Sequence, residues 1–99
     1  MPSLSWTPQA VADVQRLYRF LAARDLNTAR NAVIEIRGRV KILAHHPASG
    51  RPVEELSSAY REWPVSFGNS GYVVLYRIDT DIVSILAVRH QRETGWAES

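Results

Sequence analysis

With 99 residues, 45% of them apolar, the chain has room for one small domain, expected to span residues 1–99 and to bury ~60–65% of its unfolded surface. It has no cysteine, which excludes a disulfide framework, a thiolate metal site and a cysteine nucleophile. The formal net charge is only +2, yet eleven of the twelve cations are arginines: too little charge for a continuous basic stripe, but in a form that fits carboxylate or phosphate in pairs of hydrogen bonds.

The opening Met1-Pro2-Ser3-Leu4-Ser5-Trp6 lacks the basic start and apolar run of a leader, and no stretch approaches the ~18 apolar residues of a membrane span, so a soluble cytoplasmic protein with no membrane partner is expected. Ser3 to Trp6 read as a short strand. Thr7-Pro8 then sets a capping hydroxyl before a proline suited to the first helical position. From Pro8 to about Arg24, Val11, Val14, Leu17, Tyr18 and Leu21 recur at steps of three and four as one buried stripe, with Asp13, Gln15, Arg16 and Arg19 largely off it. Asp25-Leu26-Asn27 breaks the pattern and offers two caps. Ala29, Ala32, Val33, Ile36, Val40 and Leu43 mark a second amphipathic helix. So short a connection folds the two helices into an antiparallel hairpin, with Ala29 and Ala32 permitting close approach. Gly38 costs roughly 1 kcal/mol against alanine in a helix, and reads as a mark of tight packing.

Pro47 ends the second helix near His46, and Pro47 to Pro52 is dense in turn formers. Tyr60 to Phe67 is strand-like, and Pro64 within it points to an edge or a bulge. After a turn at Gly68-Asn69-Ser70-Gly71 come two runs rich in β-branched residues, Tyr72–Ile78 and Ile82–His90, joined by the tight Asp79-Thr80-Asp81 corner. The expected fold is a two-layer α+β domain: N-terminal strand, antiparallel helical hairpin, then a three-stranded antiparallel sheet. Both strands of the last hairpin are apolar on both faces, so loops or a partner must cover the side away from the helices. Its register stays open. A two-residue Asp79-Thr80 loop sets Arg77 opposite Ile82, on the face of Ser84, Val88 and His90; a three-residue loop moves it to the face of Val83, Ala87 and Arg89.

Trp6-Thr7 closing the first strand, the helical hairpin, His46-Pro47, Gly50-Arg51-Pro52-Val53, Arg61-Glu62, Tyr72–Ile78 and the closing Arg89-His90-Gln91-Arg92-Glu93 together resemble the RelE/ParE toxin superfamily across nearly the whole chain. The long hairpin and the His-Gln-Arg ending are more similar to the ParE and plasmid-stabilisation branch. The resemblance implies a growth-arresting toxin of a type II toxin-antitoxin module, held inactive by a cognate antitoxin. ParE members poison DNA gyrase, whereas RelE members cut messenger RNA in the ribosomal A site. A relic that only binds antitoxin is a third alternative.

Metal-independent RNA cleavage needs a base for the 2′-hydroxyl, an acid for the leaving oxygen and cations for the phosphate. His90 and Glu93 are the candidate proton carriers, and Arg77, Arg89 and Arg92 the candidate phosphate holders. The lysine-rich loop and C-terminal tyrosine of RelE have no clear match, since Lys41 falls on the second helix and Trp96 occupies the tail. Enzymatic activity is therefore left open, with non-enzymatic binding of gyrase favoured through Arg77, Arg89, His90, Arg92 and Trp96. For an acidic, amphipathic antitoxin segment the candidates are Arg16, Tyr18, Arg19 and Trp63, by helix-in-groove or strand-addition contacts. No cofactor or metal is expected: His45 and His46 are adjacent and point apart. Glu54, Glu55 and Glu62 read as solvated carboxylates, and Ser57, Ser58 and Ser84 lack a nucleophile motif.

Overall fold

The computed structural model describes residues 3–93 and 95–96. Strand β1 (Ser3–Trp6) leads into helix α1 (Pro8–Ala22), followed by α2 (Leu26–His45), a 3-10 turn at Pro47–Ser49, and strands β2 (Arg51–Pro52), β3 (Tyr60–Phe67), β4 (Ser70–Ile78) and β5 (Ile82–His90). The sheet order is β1-β5-β4-β3-β2, with β1 parallel to β5 and the other pairs antiparallel. The helices pack on one side of this sheet, as expected. Two features were not expected: the added edge strand β2 in what reads as a turn, and the parallel seam of β1 against β5.

Local chemistry explains the boundaries. Thr7 caps α1 by accepting from Ala10 N–H (3.2 Å), and its own hydroxyl donates to Ile85 O (2.9 Å), so one side chain both starts the helix and ties it to the sheet. Asp25 caps α2 by accepting from Asn27 N–H (2.9 Å) and from the Thr28 hydroxyl (3.0 Å). Caps of this kind stabilise a helix by about 1 kcal/mol each. In the β3–β4 turn Gly68 takes φ +59° at the first central position while Asn69 does not, the pattern of a II′ turn that glycine alone adopts without strain.

The core lies between the helices and the sheet. Ala10 and Leu17 from α1 and Ala32, Ile36, Val40 and Leu43 from α2 meet Val65, Val74, Tyr76, Val83, Ile85 and Val88 of the strands. Ala29 and Ala32 are buried, consistent with close helix approach, but Gly38 is exposed with nothing near its Cβ position: it marks no packing contact. Asp13 also departs from the sequence reading, for it is buried. Pairing of β1 with β5 ends at Trp6 and Ile85, so the Val88 N–H further along that edge lacks a strand partner. Asp13 Oδ2 accepts it (2.9 Å), and Oδ1 accepts from Gln9 Nε2 (2.9 Å). A buried carboxylate is tolerable here because it replaces a ladder bond.

Pro64 occupies the free edge of β3. Ile78 N–H donates to Ala59 O (2.8 Å), so in the antiparallel register the odd-numbered residues of β3 turn their backbone groups to β4 and Pro64 turns outward. Since β2 pairs only with Arg61 and Glu62, the missing donor costs no ladder bond.

The β4–β5 hairpin has neither anticipated register. Ile78 faces Val83 and Arg77 faces Ser84, while further on Leu75 faces Ala87, Val73 faces Arg89 and Tyr72 faces His90. Between Tyr76 opposite Ile85 and Leu75 opposite Ala87 the strand carries one extra residue, Leu86. This bulge reverses side-chain parity within β5. Arg77 consequently shares the open face with Ser84, Ala87 and Arg89, and His90 faces the helices.

Candidate functional site

The bulge divides the polar residues at the end of β5 between two surfaces. On the open face, Arg89 lies beside β4, with only 16% of its side chain exposed. Its guanidinium sits 4.7 Å from the Trp96 ring centroid, 4.0 Å from Glu62 Oε2, and against the carbonyl of Glu93. The Trp96 indole N–H donates to the same Glu62 oxygen (2.9 Å), and Arg51 Nε donates to the other (3.2 Å). The tail thus reaches from β5 to β3 across β4, whose open-face residues Val73 and Leu75 are buried although no helix of the described residues lies on that side. Among the described residues Arg89 Nε has no partner. Arg77, at the far end of this face, is more exposed (47%), pairs with Asp79 (3.3 Å) and stacks over Tyr60 (5.6 Å).

On the helix side the ends of β3, β4 and β5 and the second half of α1 enclose a cleft of about 600 Å³. Its floor is apolar and aromatic, with Leu17, Leu21, Phe67 and Tyr72, and Phe20 at the mouth. Arg16, Arg24 and Arg92 line the rim. His90 stands edge-on to Tyr72 (5.6 Å, 88°), with Nε2 2.7 Å from Ser70 Oγ and Nδ1 accepting from Arg92 N–H (3.1 Å). In a neutral imidazole this second contact makes Nδ1 the acceptor, which places the proton on Nε2, where it donates to Ser70. Glu93 closes the cleft, its Oε1 accepting from His90 N–H (2.8 Å) and from Arg16 (3.5 Å). The His90 amide, and less strongly Arg16, hold the Glu93 carboxyl below its ordinary range.

A groove of about 260 Å³ runs along the outer seam of the hairpin beside β1, walled by Trp6, Val11, Val14 and Val33 with Gln15 and Arg37 at its margin. It continues into a hollow bordered by Tyr18 and Arg19.

The family model described as the ParE toxin of the type II toxin-antitoxin system parDE matches residues 4–95. The chain belongs to the ParE toxin family. It is similar to toxin RelE3 of Caulobacter vibrioides, with 39% identity over 93 residues, 94% of this chain and 98% of that protein. Among solved structures it resembles a chain of the chromosomal ParDE toxin-antitoxin system from P. aeruginosa, at 26% identity and TM-score 0.74, over 91% of this chain and 96% of that one. It also resembles one from the toxin-antitoxin complex RelBE2 of Mycobacterium tuberculosis, at 28% identity and TM-score 0.58, over 92% and 100%. No described helix is long and apolar enough to cross a membrane.

In this ParE-family chain the residues singled out from the sequence do not form one cluster. His90, Arg92 and Glu93 come together in the cleft, joined there by Arg16. Arg77, Arg89 and Trp96 lie on the opposite face, with Arg77 apart from the other two. Tyr18 and Arg19 border the hairpin groove, whereas the Trp63 indole donates to Arg39 O (3.0 Å) beneath the Arg39 guanidinium (4.8 Å). The His45 and His46 rings are 6.5 Å apart and tilted by 51°. Sequence reasoning missed Ser70, Tyr72, Phe67, Phe20 and Arg24 as cleft residues, because only the Leu86 bulge turns His90 towards them.

Proposed function

We propose that this toxin arrests growth by binding DNA gyrase and not by cutting RNA, and that a cognate antitoxin neutralises it. The observation that carries the reading is the hydrogen bond that His90 Nδ1 accepts. A neutral imidazole has one lone pair, and Arg92 N–H occupies it, so the only histidine at the end of β5 has nothing left with which to take a 2′-hydroxyl proton. The arginines suited to a scissile phosphate are also split, with Arg77 and Arg89 across the sheet from His90 and Arg92. A proton carrier and its phosphate clamp within ~3 Å of one reacting atom are what the nuclease needs. A protein target needs only an arginine-bearing surface; Arg77, Arg89 and Trp96 on one side and His90 and Arg92 on the other supply its contacts.

Supercoiling and cleavage-complex assays with purified gyrase test this: the expected result is loss of supercoiling and accumulated breaks at micromolar toxin. No effect, while induction still stops growth, removes the reading. The similarity to a protein named RelE3 and to a RelBE2 complex supports the ribosome-dependent endonuclease as the second reading. Cuts mapped to the A-site codon after induction would establish it, with Arg77, Arg89, His90, Arg92 and Glu93 as its residues.

The antitoxin segment docks along the outer seam of the hairpin, where Val11, Val14 and Val33 offer an apolar floor and Arg19 and Arg37 frame it. An amphipathic acidic helix matches both properties. Arg16 and Trp63 lie outside this groove and contribute only to a longer wrapped path. Val14→Asp should weaken antitoxin binding in calorimetric titration by at least tenfold; unchanged affinity removes the groove from the interface.

A further inference from the structure

The cleft between α1 and the ends of β3, β4 and β5 already holds an anion, and that anion belongs to the chain itself. Glu93 carboxylate takes the His90 backbone N–H at 2.8 Å and Arg16 at 3.5 Å, while two further guanidinium groups, Arg24 and Arg92, stand on the same rim. Arg24 is held over Phe20 (5.5 Å), and the aromatic floor continues through Phe67 to Tyr72, their rings 6.2 Å apart. Because Nδ1 of His90 fixes its Nε2–H towards Ser70 Oγ, the serine hydroxyl is left with its own proton to donate into the cleft.

From this arrangement the geometry points to a binding site for an organic phosphate carrying a flat apolar group, that is, a nucleotide, with Glu93 as a built-in competitor for the phosphate position. An external carboxylate would gain little by displacing an identical group that is tethered in place. A phosphate has greater charge and three acceptor oxygens, and can engage Arg16, Arg92 and the His90 amide together. The volume of about 600 Å³ lies within the usual range for small-molecule clefts, ~300–1,000 Å³, and a base can lie on Phe20 and Phe67 as bases do on aromatic platforms. The inference shares His90 and Arg92 with the gyrase reading but does not rest on it: its test measures binding of small molecules and has no toxicity readout.

The purified full chain is titrated calorimetrically with adenosine monophosphate, adenosine, inorganic phosphate, a short single-stranded oligonucleotide, and an acidic peptide containing phenylalanine. Adenosine monophosphate should bind and adenosine should not. Glu93→Gln, which retains an amide oxygen for the His90 N–H, should tighten both adenosine monophosphate and inorganic phosphate by roughly five- to tenfold as the like charge is removed. Arg16→Gln should weaken both by about tenfold, and Phe20→Ala, at an exposed position, should weaken only the nucleotide. Circular dichroism confirms that each variant is folded. Comparable binding by the oligonucleotide identifies a nucleic-acid strand as the source of the phosphate, and its failure identifies a free nucleotide. Absence of binding by both wild type and Glu93→Gln at millimolar adenosine monophosphate overturns the proposal, as does tighter binding of the peptide than of the nucleotide, or a Glu93→Gln variant with no gain.

Discussion

Removing one oxygen from Tyr76 tests how the segment after α2 is held. The ring is fully buried, its hydroxyl donates to Pro47 O (2.6 Å) and accepts from Gly50 N–H (2.8 Å). Tyr76→Phe preserves the packing and deletes both bonds at once. Gly50 is buried, so its N–H bears the full penalty of an unpaired donor, ~1–3 kcal/mol. Pro47 is partly exposed and water can reach its carbonyl, so its share is smaller. The expected loss is about 2–4 kcal/mol, a large part of the ~5–15 kcal/mol typical of small domains. In urea, with a slope of ~1–3 kcal/mol per molar, the midpoint should fall by roughly 1–2 M, and hydrogen exchange at the Gly50 amide should accelerate. The phenol also links stability to alkaline pH. Burial raises the Tyr76 value above its usual 10, outweighing the lowering by the Gly50 amide and Arg61, so its contribution is complete below pH ~10 and lost as pH rises through the folded value. Tyr76→Phe should lack that part of the alkaline loss. A variant within 0.5 kcal/mol of wild type (on the ~1 kcal/mol scale of one hydrogen bond), with Gly50 protection unchanged, would refute the reasoning.

Gly38→Ala should stabilise by about 0.5–1 kcal/mol, since the position is helical, exposed and sterically free; thermal melting checks it, and a lower midpoint would mean an unseen contact. Asp13→Ala should cost about 2–3 kcal/mol by orphaning the Val88 N–H, with Asp13→Asn much milder because its carbonyl oxygen can still accept; equal losses in the two would count against the edge-capping role. Gly50→Ala should be strongly destabilising, because a Cβ there would meet the Tyr76 hydroxyl and lie 2.7 Å from Glu62 O, and expression with denaturation of the purified protein measures it. Glu93 has a depressed carboxyl value, caused first by the His90 amide, so its stabilisation is present above the unfolded value of ~4.3 and lost as pH falls through the lower folded value. The stability gap between wild type and Glu93→Gln should therefore narrow as pH falls below the unfolded value and close below the lower folded one, and a gap constant through acid titration would contradict the assignment.

Regular elements were legible because local and tertiary signals agree in them. Thr7-Pro8 and Asp25 cap the helices as their chemistry requires, and β3 and β5 begin and end where the β-branched and aromatic runs do. What escaped the sequence depends on contacts between distant segments. Two residues, Arg51 and Pro52, become a strand only because Glu62 and Arg61 lie alongside. Asp13 is buried because Val88, 75 positions later, needs an acceptor. The candidate site suffered most, since a period-2 pattern assigns faces by counting and one uncounted residue inverts the result.

That uncounted residue, Leu86, acts on everything downstream of it. Deleting it would restore strict alternation in β5 and leave Arg89 and His90 on their present faces, whereas pairing it regularly with β4 would bring the guanidinium of Arg89 round to α1 and send the imidazole of His90 to the side where Trp96 lies. Two surfaces would exchange their chemistry although no side chain had been altered. In this sheet the way one residue is accommodated between the corner and the strand end is itself a determinant of recognition, and a change at Leu86 that let it pair regularly should give partners two different surfaces built from almost the same amino acids.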